Sequence, residues 1–144
     1  MSIFLYNALV ELPVGIVLLL GALIPVFPSF LLPLTKVNLR ANILLELASY
    51  EMIFPLGISS LVVHLNGPTL ENGSAVAIGC LGYHIAVGTS SLYKAAFSST
   101  NFGPDPEYVR KLMSPGAANV ICGINAAIIH YGLAYGFANW LNWI

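Results

Sequence analysis

The chain has 144 residues, of which 58% are hydrophobic and 8% charged, with a net charge of −1. A soluble domain carries about 25% charged residues, so five basic and six acidic side chains are too few to cover a water-facing surface. Together with a mean hydropathy of +0.84, this excludes an ordinary soluble domain, and the absence of any basic run excludes nucleic acid as a partner.

A bilayer-spanning helix needs roughly 20 apolar residues. The sequence predicts four, over residues 3–24, 41–65, 74–97 and 117–140, in a single domain covering 1–144. The expected fold is therefore all-α, a polytopic four-helix transmembrane bundle. The first span starts at Ile3 without a basic leader or a small-residue cleavage site, so it reads as a retained helix. Pro25, Pro28 and Pro33 interrupt the connector that follows. Asn66-Gly67-Pro68 ends the second span, and Pro115-Gly116 opens the fourth. Trp140 and Trp143 read as an interfacial aromatic belt.

All five basic residues, Lys36, Arg40, Lys94, Arg110 and Lys111, belong to the first and third connections or their edges. The positive-inside rule then places loops 25–40 and 98–116 in the cytoplasm and both termini on the lumenal or outer side. An internal membrane such as the endoplasmic reticulum is the expected location. Asn72-Gly73-Ser74 is a formal glycosylation sequon, set so close to the membrane that it is expected to stay unmodified. Cys80 and Cys122 lie inside apolar segments and form no CxxC pair; they read as small buried core residues.

Each span carries an ionisable side chain near its middle: Glu11, Glu51, His84 and His130. Each lies within about three residues of its span's midpoint, roughly 5 Å at 1.5 Å rise per residue. Inserting such a group costs on the order of 2.5–3.5 kcal/mol. Helical phase directs most of them inward. Asn7, Glu11 and Gly15 share one face, as do Cys80, His84 and Gly88, and Asn119, Gly123, Ala126, His130 and Ala134 form a stripe. Small residues on such stripes mark the buried side of a membrane helix. Pro55 deprives the Glu51 carbonyl of its donor and predicts a kink at that carboxyl. A network that only pairs helices is the plain alternative, although polar pairs in membranes contribute about 0.6 kcal/mol on average.

A carboxyl in an apolar site favours its neutral form and can act as general acid beside a neutral imidazole base. This suits isomerisation, cyclisation or a related transfer on a small lipophilic molecule. Glu11, Glu51, His84 and His130 are the candidate catalytic residues; Asn7, Tyr50, Tyr83, Asn119 and Tyr131 are candidate substrate-binding residues. Glu46 reads as a snorkelling or paired edge residue, and His64 as interfacial. No cofactor is expected. The alternative is a b-type haem held by His84 and His130, which lie at similar depth on consecutive antiparallel helices, or an accessory subunit of a larger membrane complex. A metal site of two Glu and two His lacks the Glu-x-x-His spacing of di-iron bundles, so none is expected. Gly132-Leu133-Ala134-Tyr135-Gly136 gives the fourth span a second close-packing face, which suggests a homo-oligomer.

The layout, together with Arg40-Ala41-Asn42, Glu46 or Glu51, Phe54-Pro55 and Leu65-Asn66-Gly67, resembles the MAPEG family, the membrane-associated proteins of eicosanoid and glutathione metabolism. That family has an Arg, an Asn, a Glu and a Pro in this order; here Glu51 to Pro55 is one residue longer than its usual pattern. Its glutathione-binding arginine and tyrosine set is not reproduced, and only Tyr93 and Lys94 occupy a comparable stretch. The resemblance implies a trimer with lipophilic-substrate sites between subunits, and a diverged activity centred on the Glu/His layer.

Overall fold

A computed structural model describes residues 1–23, 53, 55–97 and 115–144, with the backbone alone for 17–23, 94, 97, 115, 116, 118, 119 and 122. Among the described residues the chain is all-helical, with four helices and no strand. They are α1 (Ile3–Leu23), α2 (Pro55–Leu65), α3 (Leu70–Phe97) and α4 (Pro115–Trp140). Tyr50, Glu51 and the side chain of Asn119 lie outside the described residues, and so does the expected kink at Glu51.

Local chemistry sets the helix ends. α2 stops where Gly67 takes a positive φ of 76°, a conformation glycine adopts at little cost, and Pro68 follows. α3 starts at Leu70, not at the expected Ser74, because Thr69 and Asn72 form a reciprocal cap. The Asn72 backbone N–H donates to Thr69 Oγ1 at 3.3 Å, and the Thr69 N–H donates to Asn72 Oδ1 at 2.9 Å. This is a capping box with Asn in the place of Glu or Gln. Asn72 Nδ2 also donates to the Gly67 carbonyl at 2.9 Å, so the sequon asparagine is engaged in ending one helix and starting the next. Thr69→Ala is expected to lower stability by about 1 kcal/mol, read as a lower unfolding midpoint in detergent; an unchanged midpoint would mean that the box contributes nothing. α4 closes on Asn142 at φ 58°, with Trp143 N–H donating to the Ala138 carbonyl and Asn142 N–H to that of Asn139, a Schellman arrangement.

The helices alternate in direction. Ser2 Oγ meets His64 Nδ1 at 2.8 Å, joining the start of α1 to the end of α2. The Phe4 ring packs edge-on against Trp140 at 4.8 Å, joining it to the end of α4. Gly73, near the start of α3, leaves room for the same indole: a Cβ there would stand 2.7 Å from Trp140. Both termini thus lie at one end of the bundle. The apolar core at this end is Phe4, Val63, Ala77, Cys80 and Phe137.

Among the described residues α3 and α4 pack along each other more extensively than α1 and α4 do. α3 and α4 approach closely at Gly123, where a Cβ would lie 2.6 Å from Ala95 Cβ and 2.8 Å from the Ser91 carbonyl oxygen. The two glycines of the GxxxG pattern separate. Gly136 faces Ile3 of α1, whereas an added Cβ at Gly132 would meet nothing within 4 Å among the described residues, so one end of the expected second face is spent within the chain.

Polarity is arranged inside out. Asn7, Glu11, Ser60 and His84 are buried, while Leu9, Ile58, Val62, Ile78, Ile85 and Ile128 are exposed. Among the described residues one stretch, Leu70–Tyr93, with a mean hydropathy of 1.4, is long and apolar enough to cross a membrane; Ile3–Ile16 and Pro55–Leu65 are shorter apolar helices.

Candidate functional site

Three of the four mid-span ionisable residues meet inside the bundle. Glu11 comes from α1, His84 from α3 and His130 from α4. Glu11 is 2% exposed and His84 is 0% exposed; His130 is half-buried. The inward phase read for α1 and α3 is met, since Gly15, Cys80 and Gly88 are buried with them. The α4 stripe is shallower: Gly123, Ala126 and His130 are half-buried and only Ala134 is fully so.

Asn7, one turn before Glu11, sets the hydrogen-bond directions. Its Nδ2 donates to Ser60 Oγ at 2.9 Å and approaches Cys80 Sγ at 3.6 Å. Its Oδ1 therefore faces His84 Nε2, at 2.6 Å, and an amide oxygen can only accept. His84 Nε2–H is the donor. A neutral imidazole then carries its lone pair on Nδ1. That atom lies 2.8 Å from His130 Nδ1 and 3.7 Å from Glu11 Oε1. With His84 neutral, His130 Nδ1–H is the donor of the shorter contact. The longer one exceeds hydrogen-bond reach, and Glu11 Oε1 has no partner among the described residues. The centre thus sets two acceptors side by side, His84 Nδ1, which takes the His130 proton, and Glu11 Oε1, which takes none among the described residues.

Aromatic rings wall this group. Phe137 stacks on His84 with 11° between planes, and the Tyr83 ring meets His84 edge-on at 5.0 Å. The Tyr83 hydroxyl reaches towards Glu11 Oε2 at 3.5 Å, the far limit of a hydrogen bond. Tyr131 does not join the group. Its ring lies over Gly88 and its hydroxyl pairs with Thr89 Oγ1 at 2.9 Å. Of the expected substrate-binding residues, Asn7 and Tyr83 border the centre and Tyr131 does not. Ser60 belongs to the site and carried no signal beyond being a hydroxyl in an apolar helix.

The haem alternative fares poorly in this arrangement. An iron between two imidazoles separates their ligating nitrogens by roughly 4 Å, twice the ~2 Å typical of metal–imidazole bonds. Here the two Nδ1 atoms touch at 2.8 Å, the ring centroids are 5.1 Å apart, and His84 Nε2 is held by Asn7. As placed, the rings leave no room for a macrocycle between them.

No protein-family model, curated protein or solved structure matches this chain.

Proposed function

We propose that the chain is an integral membrane enzyme that performs acid/base chemistry on a small lipophilic molecule at the Glu11–His84–His130 centre. The observation that carries this reading is Glu11 Oε1, a buried carboxyl oxygen with no partner among the described residues, facing the lone pair of His84 Nδ1 at 3.7 Å. A buried acceptor left unpaired costs about 1–3 kcal/mol. A group kept only to pair helices would have its oxygens satisfied. An unpaired carboxyl oxygen beside an imidazole pair can instead take a proton from a substrate and return it to another atom, which is the chemistry of an isomerisation or cyclisation.

The exposed apolar faces support a lipid surrounding for all four helices, because aliphatic surface of this extent is excluded from water. In a bilayer a lipophilic substrate reaches such a centre from the side. The four-span topology, with basic loops in the cytoplasm, is part of the same proposal, as is an oligomer built on the open face of α4 around Gly132.

Isomerisation and cyclisation conserve mass, so for either reaction substrate and product reveal themselves as a pair of equal mass. Lipophilic extracts of cells producing the wild-type chain or Glu11→Gln are compared by chromatography and mass spectrometry. The wild type is expected to convert one lipophilic compound into another of equal mass, and Glu11→Gln to leave the first in place. Identical extracts, with both proteins assembled in membranes, would defeat the enzymatic reading.

A further inference from the structure

We infer that the Glu11–His84–His130 centre binds a divalent transition-metal ion of the zinc type. One donor atom from each residue lies within 4.8 Å of the other two. A tetrahedral zinc ion with bonds of about 2.0–2.2 Å holds its ligands roughly 3.3–3.5 Å apart. Two of the three separations, 2.8 Å between the imidazole nitrogens and 3.7 Å from His84 Nδ1 to Glu11 Oε1, lie on either side of that spacing, and the third, from His130 to Glu11, is within 4.8 Å. The residue set, two imidazoles and one carboxylate, is one that borderline metals prefer over magnesium or calcium.

Two further observations point to a cation. Glu11 Oε1 is a buried acceptor aimed at the centre with no partner among the described residues. His84 also has the support that metal-bound histidines use: its far nitrogen donates to an oxygen, here Asn7 Oδ1 at 2.6 Å, which fixes the ring and leaves Nδ1 as the ligating atom. Asn7 is in turn locked by Ser60 and Cys80. Binding requires no oxidation or reduction. His130 gives up the proton on Nδ1 and carries one on Nε2, so both imidazoles ligate as neutral rings, and any proton on the carboxyl goes to solvent. The missing Glu-x-x-His spacing argued against a metal only because it assumes pairs of ligands on single helices; here each ligand comes from a different helix.

Three protein ligands leave one position open, as in catalytic zinc sites. The ion would hold and polarise a substrate oxygen there; with His84 Nδ1 and Glu11 Oε1 taken up as ligands, Glu11 Oε2 beside the Tyr83 hydroxyl would be the group left to move the proton. This role rests on the enzymatic reading above; binding of the ion does not.

The test uses zinc alone. Full-length protein in detergent is stripped with chelator, dialysed against zinc with magnesium in excess, and assayed for bound metal. The expected result is one zinc per chain in the wild type and in His64→Gln. Affinity should fall at least 100-fold in Glu11→Gln and in His130→Ala, and 10–100-fold in Asn7→Ala through loss of support to His84. Helical content by circular dichroism identifies any variant that has failed to fold, and the wild-type measurement stands without them. Less than stoichiometric zinc in the wild type, or equal affinity in folded Glu11→Gln, would overturn the inference. Stoichiometric zinc without a mass-neutral conversion would sustain the metal site and defeat the enzyme; conversion without stoichiometric zinc would do the reverse.

Discussion

Gly123→Ala will drive α3 and α4 apart. The added methyl would lie 2.6 Å from Ala95 Cβ and 2.8 Å from the Ser91 carbonyl oxygen, and neither can rotate away, since one is a short side chain and the other backbone. Overpacking of this kind costs about 1–3 kcal/mol. The consequence reaches the site. His130 lies two turns along α4, about 10 Å at 1.5 Å per residue, so a shift of that helix moves its imidazole relative to His84. The expected result is a lower unfolding midpoint together with loss of the His84–His130 contact, followed by nuclear magnetic resonance of histidine-labelled protein. Gly132→Ala is the matched control, because nothing among the described residues lies within 4 Å of its added Cβ, and it should be neutral or gain up to about 1 kcal/mol from helix propensity. Equal effects of the two substitutions would contradict the packing described for α3 and α4.

Asn7→Leu is the second large effect. Asn7 bonds to Ser60 of α2 and His84 of α3 and approaches Cys80, so its loss leaves the His84 imidazole N–H buried without a partner among the described residues and the Ser60 hydroxyl with only its 3.6 Å contact to Cys80 Sγ. Such an orphan costs about 1–3 kcal/mol, well above the roughly 0.6 kcal/mol average for polar pairs between membrane helices. Ser60→Ala removes the bond from Asn7 and the weaker 3.6 Å contact with Cys80 Sγ but leaves Asn7 Nδ2 beside that sulfur, so its cost should be near 1 kcal/mol. Chemical unfolding of both variants and of the double variant measures the difference. A Ser60→Ala cost equal to or above that of Asn7→Leu would show that Asn7 is not the node of the network.

The cost of burying charge made Glu11, His84 and His130 legible, because in a chain with so few charged residues each mid-span ionisable group stands out. Phase then oriented them, since the Asn7–Glu11–Gly15 and Cys80–His84–Gly88 stripes follow directly from 3.6 residues per turn. The finer features lacked a comparable signal. Ser60 is cheap to insert and therefore silent. The Thr69–Asn72 box was hidden beneath a glycosylation sequon, which moved the start of α3 from Ser74 to Leu70. Spacing gave Gly132 and Gly136 the same status, and only the packing of Ile3 against Gly136 separates them. The decisive detail of the site, which nitrogen of His84 faces Glu11, depends on the rotamer of Asn7 and on partners from two other helices, which periodicity does not encode.

Whether the Glu11 carboxyl is a reaction group or a helix clamp is tested most directly by the stability of Glu11→Met in the presence of chelator. Methionine fills a similar volume without a polar oxygen, and among the described residues the bond removed is the 3.5 Å contact from Tyr83. A functional carboxyl held unpaired at a cost of about 1–3 kcal/mol should give an unfolding midpoint equal to or above that of the wild type when it is replaced, as stability is commonly sacrificed at active sites. A clearly lower midpoint would contradict the account and assign Glu11 to holding the helices together.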